Sequence, residues 1–114
     1  MADAQHKDLA AGRWSSLTLA EQLGNVGSEV GRALSWQKKN NEQYREKALV
    51  RALELIDLTI SDRRWIEQHR LKEILRTREI LVDYFYGDNF YQTIPEQLEK
   101  YFYYFAFAAR NKRP

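Results

Sequence analysis

The sequence predicts an all-α protein, built as an antiparallel up-down-up-down four-helix bundle. Apolar residues recur at spacings of three and four through four segments, the period of a helix face rather than of a strand. Gly and Pro number five and two in 114 residues, too few for the many turns of a β-sandwich. Capping signals and short polar links divide the segments from one another. Together these place helices near 16–38, 41–61, 64–86 and 94–111.

The first helix starts at Ser16 or Thr18. Thr18-Leu19-Ala20-Glu21 is a capping box, in which hydroxyl and carboxylate each satisfy a free backbone N–H. Leu19, Leu23, Val26, Val30 and Ala33 then share one face. Gly24, Gly27 and Gly31 interrupt this helix at a cost of about 0.5–1 kcal/mol each relative to Ala. The spacings Ala20-x-x-x-Gly24 and Gly27-x-x-x-Gly31 suit the close approach of a second helix.

Lys38-Lys39-Asn40-Asn41 links to the second helix, and either Asn can cap it. There Tyr44, Ala48, Ala52, Leu55, Ile56 and Thr59 form the apolar side, widened by Leu49, Leu53 and Ile60. Ser61-Asp62 marks a break. The third helix carries Leu71, Ile74, Leu75, Leu81, Val82 and Phe85 and stops at Gly87-Asp88-Asn89, where Gly87 is placed to take positive φ. Thr93-Ile94-Pro95-Glu96 opens the fourth helix as a second capping box with Pro in the first turn. Leu98, Phe102, Phe105 and Ala109 point inward, and Arg110, Lys112 and Arg113 suit the negative end of its dipole.

A chain of this length makes one domain with a single core. Residues 13–114 are assigned to the bundle and residues 1–12, which lack an apolar stripe, to a flexible tail. That opening stretch has no signal-peptide character, and no apolar run approaches about 20 residues. A cytoplasmic protein that does not enter membranes is therefore expected.

Composition excludes several chemistries. With no cysteine there is no disulfide, thiolate nucleophile or Cys-ligated metal. His6 and His69 are the only histidines, so one chain cannot supply a multi-histidine site. Glu21, Glu29, Glu54 and Asp57 suggest a di-metal bundle centre, but the Glu-x-x-His pairs such centres use are missing. No metal, no cofactor and no catalytic residue is expected, and no Walker loop, dinucleotide fingerprint or nucleophile elbow occurs.

Aromatic crowding is the main anomaly. Eleven of the 15 aromatic residues fall within 84–107, and Tyr101-Phe102-Tyr103-Tyr104-Phe105 sends rings around the whole helix. One core needs a stripe of only about 100° or somewhat more. A wide core with tyrosine hydroxyls reaching water is one reading. The other, which we adopt, is a contact surface of Phe90, Tyr91, Tyr101, Tyr103, Tyr104 and Phe107. Its simplest partner is a second copy of the chain, followed by an unidentified protein.

Charge on apolar stripes is the second anomaly. Arg78 lies between Ile74/Leu75 and Leu81/Val82, Asp57 shares a face with Val50, Leu53 and Ile60, and Asn25 and Glu29 flank the first stripe. These four are expected to form an interior polar network, with Arg78 reaching Asp57 or else Glu29. Removing Arg78 would then leave a buried carboxylate unpaired, at a cost of about 3–5 kcal/mol.

Basic residues cluster as well. Residues 63–78 hold six cations against two acids, and residues 38–51 hold five against two. Arg63, Arg64, Arg70, Lys72 and Arg76 are thus candidate nucleic-acid contacts, although an ordinary charged face explains the same pattern. Arg64-x-x-x-x-His69 matches the Arg-x4-6-His spacing of HEPN ribonucleases, and that resemblance implies cleavage of RNA at a dimer interface. Trp65 stands where those enzymes often carry a polar residue, and a basic helix start is the plainer account.

The blocks Leu17-Thr18-Leu19-Ala20-Glu21-Gln22-Leu23, Ala52-Leu53-Glu54-Leu55-Ile56-Asp57-Leu58 and Tyr86-Gly87-Asp88-Asn89 resemble those of small, uncharacterised prokaryotic four-helix-bundle proteins, over residues 14–111. In architecture the chain is also similar to the accessory variability proteins of diversity-generating retroelements, basic ring-forming bundles that assist a reverse transcriptase. The expectation that follows is a non-enzymatic binding or assembly module that self-associates and docks a partner through its aromatic surface. The alternatives are a nucleic-acid-binding accessory subunit, for example beside a reverse transcriptase, and a HEPN-like ribonuclease.

Overall fold

The computed structural model describes residues 12–111. The expected tail, residues 1–12, lies outside the described residues except for Gly12, as do the cations Lys112 and Arg113. Five α-helices pack together: α1 (Leu19–Lys38), α2 (Glu42–Ile60), α3 (Arg63–Glu67), α4 (Leu71–Tyr86) and α5 (Pro95–Asn111). A 3-10 turn at Trp14–Ser16 precedes α1, and no strand occurs among the described residues.

Thr18 caps α1 as the capping box requires. Its side chain accepts from Glu21 N at 3.1 Å, and its own N–H donates to Glu21 Oε1 at 2.8 Å. At the far end Asn40 takes φ 58° and ends the helix in a Schellman turn. Asn40 N donates to Gln37 O at 3.1 Å and Asn41 N to Trp36 O at 3.0 Å. Asn41 then caps α2 by accepting from Tyr44 N at 3.0 Å.

The single helix expected over 64–86 is two, which corrects the sequence reading. Asp62 caps α3, and His69 at φ 60° ends it in the same Schellman geometry, with His69 N donating to Ile66 O (3.2 Å) and Arg70 N to Trp65 O (2.7 Å). The break lets Trp65 bury its ring beside α1 while α4 takes a separate course along α2, and continuous helical spacing in the sequence conceals it.

The core joins α1 to both α2 and α5. Leu23, Val26, Val30, Ala33, Ala48, Ala52 and Ile56 are fully or almost fully buried, with Ile74 and Leu81 from α4 and Phe102 and Phe105 from α5. Gly24 and Gly27 have a packing reason. A Cβ on Gly24 would sit 3.4 Å from Ala106 Cα, and one on Gly27 would overlap the Phe102 side chain. Tyr44 and Leu75, expected in the core, are exposed. Tyr44 occupies the first turn of α2 and packs on Trp36, with ring centroids 4.8 Å apart. On α4 the buried line is Ile74, Thr77, Leu81 and Phe85, which turns Leu75 outward.

The link from α4 to α5 is folded back on the end of α4. Gly87 does not take positive φ; its φ is −103°, and Asn89 and Gln92 take the left-handed conformation instead. Asp83 accepts from Phe90 N at 2.7 Å and from Tyr91 N at 3.0 Å. Asn89 exchanges two 2.9 Å bonds with the Thr93 backbone. At the α5 start, Gln97 rather than Glu96 reaches back, its Oε1 accepting from Ile94 N at 3.0 Å.

Candidate interaction surfaces

The exposed aromatic residues come from two places. On α5, Leu98, Phe102 and Phe105 are buried, whereas Tyr103, Tyr104 and Phe107 are 61%, 65% and 50% exposed. At about 100° per residue those three fall in one arc on the side away from the core. Tyr103 and Phe107 pack together with centroids 6.2 Å apart, and Tyr104 meets Phe105 edge-on at 5.4 Å. In the α4–α5 link, Phe90 is 85% exposed because Asp83 pins its backbone to the helix end and leaves the ring outside. Tyr91 packs edge-on against Phe90 and donates its hydroxyl to Glu79 Oε2 at 2.7 Å, a bond that raises its pKa. Among the described residues no ring contact joins the loop pair to the helix trio.

Tyr101, expected in the contact surface, faces inward, a correction with a simple cause. Its position on α5 points at α4, where its hydroxyl shares a 2.8 Å hydrogen bond with Thr77 Oγ1. Its ring packs edge-on against Phe102 and Phe105, and burial pushes its pKa up.

The expected interior network of Asn25, Glu29, Asp57 and Arg78 separates into three unrelated arrangements. Arg78 Nε does donate to Asp57 Oδ1 at 2.8 Å, but the side chains are 38% and 54% exposed, so this is a surface pair between α4 and α2. Thr77 takes the core-facing position, and the next residue is rotated toward solvent. Glu29 is buried and joins Arg51 of α2 (3.1 Å) and Arg32 of its own helix (2.9 Å). Asn25 is exposed and donates to the Glu21 carbonyl at 2.8 Å.

A different polar network occupies the interior, centred on Gln22, which is wholly buried. Its Nε2 donates to Trp14 O at 2.9 Å and to Asp62 Oδ2 at 3.0 Å, while its Oε1 accepts from Trp65 Nε1 at 2.8 Å. Trp14 Nε1 donates to Thr59 Oγ1 at 3.0 Å, and that hydroxyl donates to Leu55 O at 2.9 Å. Asp62 binds Arg64 through Nε (3.0 Å) and Nη2 (2.7 Å), and Arg64 Nη2 also reaches Leu17 O at 2.6 Å. The Arg64 guanidinium holds the Asp62 carboxyl below its ordinary range, against the opposing effect of burial. One signal for this network was present in the sequence: Gln22 occupies a stripe position between Leu19 and Val26.

The basic candidates are unevenly committed. Arg64 is held by Asp62 and lies 4.4 Å over the Trp65 ring. Arg70 is paired with Glu73 at 2.8 Å, and Arg76 lies 6.0 Å from the Tyr91 ring. Arg63 and Lys72 are exposed. His69 is exposed and serves as the left-handed helix terminator, while Arg64, its companion in the HEPN-like spacing, is part of the interior network. A second set of cations lies over rings at the α1–α2 turn: Lys39 is 5.0 Å from the Trp36 centroid and Lys47 is 5.4 Å from that of Tyr44. Nearby on α2 and α4, Tyr86 donates to both Glu46 oxygens at 3.0 Å; burial and this carboxylate push its pKa up to about 12.

Two of the hollows beside α5 lie on its α1 and α4 sides. One runs between α1 and α5, along Gly27, Ser28, Gly31 and Tyr103. The other lies between α4 and α5 and is walled mainly by Ile80, Leu98 and Phe102. Among the described residues no three His, Asp or Glu side chains converge as a metal site requires, and no helix is long and apolar enough to cross a membrane. Comparison with family models, curated proteins and solved structures finds no match.

Proposed function

We propose that this chain is a non-enzymatic assembly module that self-associates through the outward face of α5 and docks a protein partner there. One observation carries the reading: Tyr103, Tyr104 and Phe107 lie in one exposed arc while Leu98, Phe102 and Phe105, with Tyr101 packed beside them, face the core. Exposed aromatic groups of this kind mark contact surfaces. Gly31 supports it. A Cβ there would meet nothing within 4 Å, so no neighbour among the described residues accounts for this helical glycine, and it lies along the same hollow as Tyr103. A ring from a second copy fits against such a backbone, and one patch can meet itself across a two-fold axis.

The scaffold for this surface is read as an antiparallel up-down-up-down bundle of α1, α2, α4 and α5. Its support is the order of paired residues. Glu29 meets Arg51 while Trp36 meets Tyr44, Asp57 meets Arg78 while Glu46 meets Tyr86, and Gly24 faces Ala106 while Gly27 faces Phe102. In each pair of helices one number rises as the other falls.

Light scattering across a concentration series tests the reading. The wild-type chain is expected to be oligomeric, and Tyr103→Glu combined with Phe107→Glu to be monomeric with its helical circular dichroism intact. A wild-type chain that stays monomeric at high concentration overturns self-association.

A second reading, a nucleic-acid-binding accessory subunit, is favoured by the cations over rings at the α1–α2 turn, Lys39 on Trp36 and Lys47 on Tyr44. Phosphates suit the ammonium groups and bases suit the ring faces. Binding of labelled RNA or DNA over a salt series distinguishes it, because phosphate contacts make log K fall steeply with log salt.

A further inference from the structure

We propose that the cleft between α4 and α5 is a binding site for a compact apolar carboxylate, whose hydrocarbon body fills the cleft and whose carboxylate pairs with Arg76. The site is separate from the aromatic face of α5 and does not depend on the assembly reading.

Shape and lining define the body of the ligand. The cleft has a volume of about 300 Å³, the lower end of small-molecule sites. Ile80 of α4 faces Leu98 and Phe102 of α5 across it. Water is a poor occupant of such a space, since each molecule needs two to four polar partners. An apolar group instead regains the dispersion contacts that the facing side chains do not make with one another. The helices are held together across this gap by the Thr77–Tyr101 hydrogen bond at 2.8 Å, so the opening is a feature of how they pack.

Charge defines the polar end. Glu73 and Arg76 both line the cleft. Glu73 Oε1 already accepts from Arg70 Nε at 3.0 Å and Nη2 at 2.8 Å, so a second cation offsets its charge. Arg76 has no ion pair among the described residues, and its guanidinium lies 6.0 Å from the centroid of the Tyr91 ring. A guanidinium fork beside an apolar cleft matches a carboxylate, which accepts two parallel hydrogen bonds. Thr77 Oγ1 donates to Glu73 O at 3.0 Å and takes the Tyr101 hydroxyl proton at 2.8 Å, so both hydroxyls are satisfied within the protein and Arg76 is left as the polar anchor for a ligand.

Calorimetric titration of the full chain with 4-phenylbutyrate and with 4-phenylbutanol, which has the same body without the charge, tests the proposal. The acid is expected to saturate one site and to bind more tightly than the alcohol. Arg76→Gln is expected to weaken the acid by about tenfold or more and to leave the alcohol unchanged. Ile80→Trp, which fills the cleft, is expected to abolish both. No saturable binding of the acid overturns the proposal, as does equal binding of acid and alcohol, or acid binding indifferent to Arg76→Gln. Should Ile80→Trp fail to fold, amide shift changes in the wild-type chain locate the ligand. Changes confined to α4 and α5 around Ile80 and Leu98 support the site, and changes centred elsewhere overturn it.

Discussion

Trp65 donates its indole N–H to Gln22 Oε1 at 2.8 Å, tying a five-residue helix to the buried stripe of α1. Gln22 satisfies three groups from three parts of the chain: the Trp65 indole, the Trp14 carbonyl and the Asp62 carboxylate. Gln22→Leu keeps the volume and removes every partner. We expect it to destabilise the fold by about 2–4 kcal/mol in urea unfolding, because buried polar groups left unpaired lose their solvation without replacement. A loss under about 0.5 kcal/mol would contradict the network's role.

Asp62 sets an acid limit on stability. Its folded pKa lies below the ordinary value of 3.8, chiefly through its bonds to Arg64. A depressed carboxyl stabilises the fold above its unfolded pKa, and that contribution is lost as pH falls through the folded value. Stability should therefore decline as pH drops below about 3.8, and Asp62→Asn should make that decline shallower. Thermal melts between neutral and strongly acid pH measure both slopes.

Two ion pairs from α2 should respond very differently to truncation. Arg51→Ala leaves the buried Glu29 with Arg32 alone, and we expect a loss of about 1–3 kcal/mol. Arg78→Ala breaks a solvated pair with Asp57 and should cost under about 1 kcal/mol, not the 3–5 kcal/mol of a buried one. Parallel denaturation of the two variants decides the ranking.

His69 is the residue at which α3 ends, in a conformation that glycine adopts without strain. His69→Gly should therefore raise stability by about 0.5–1 kcal/mol, and His69→Val should lower it. A chemical denaturation midpoint that moves the other way for either variant overturns this role.

Much of the fold was legible because its causes are local. Thr18 and Glu21 are three residues apart, Asn41 caps its own helix, and Leu19, Leu23, Val26, Val30 and Ala33 carry a period that one short window reveals. The split at His69 was hidden because the residue in the left-handed position is not a glycine. The outward face of α5 was legible at Tyr103, Tyr104 and Phe107, since five successive rings exceed the width of any core stripe. Tyr101 was misread because sequence counts rings without saying where α4 lies.

Composition, periodicity and caps therefore determine that the chain is helical, roughly where its helices run, and that α5 carries more aromatic surface than one core can take. Each of these depends on residues within about one or two helical turns of one another. Which polar groups lie inside depends on how helices distant in sequence are turned toward each other. A rotation of one residue on α4 puts Thr77 in the core and Arg78 at the surface. The meeting of Trp14, Gln22, Thr59, Asp62 and Trp65 joins by direct hydrogen bonds residues up to 45 positions apart, a convergence that packing alone creates.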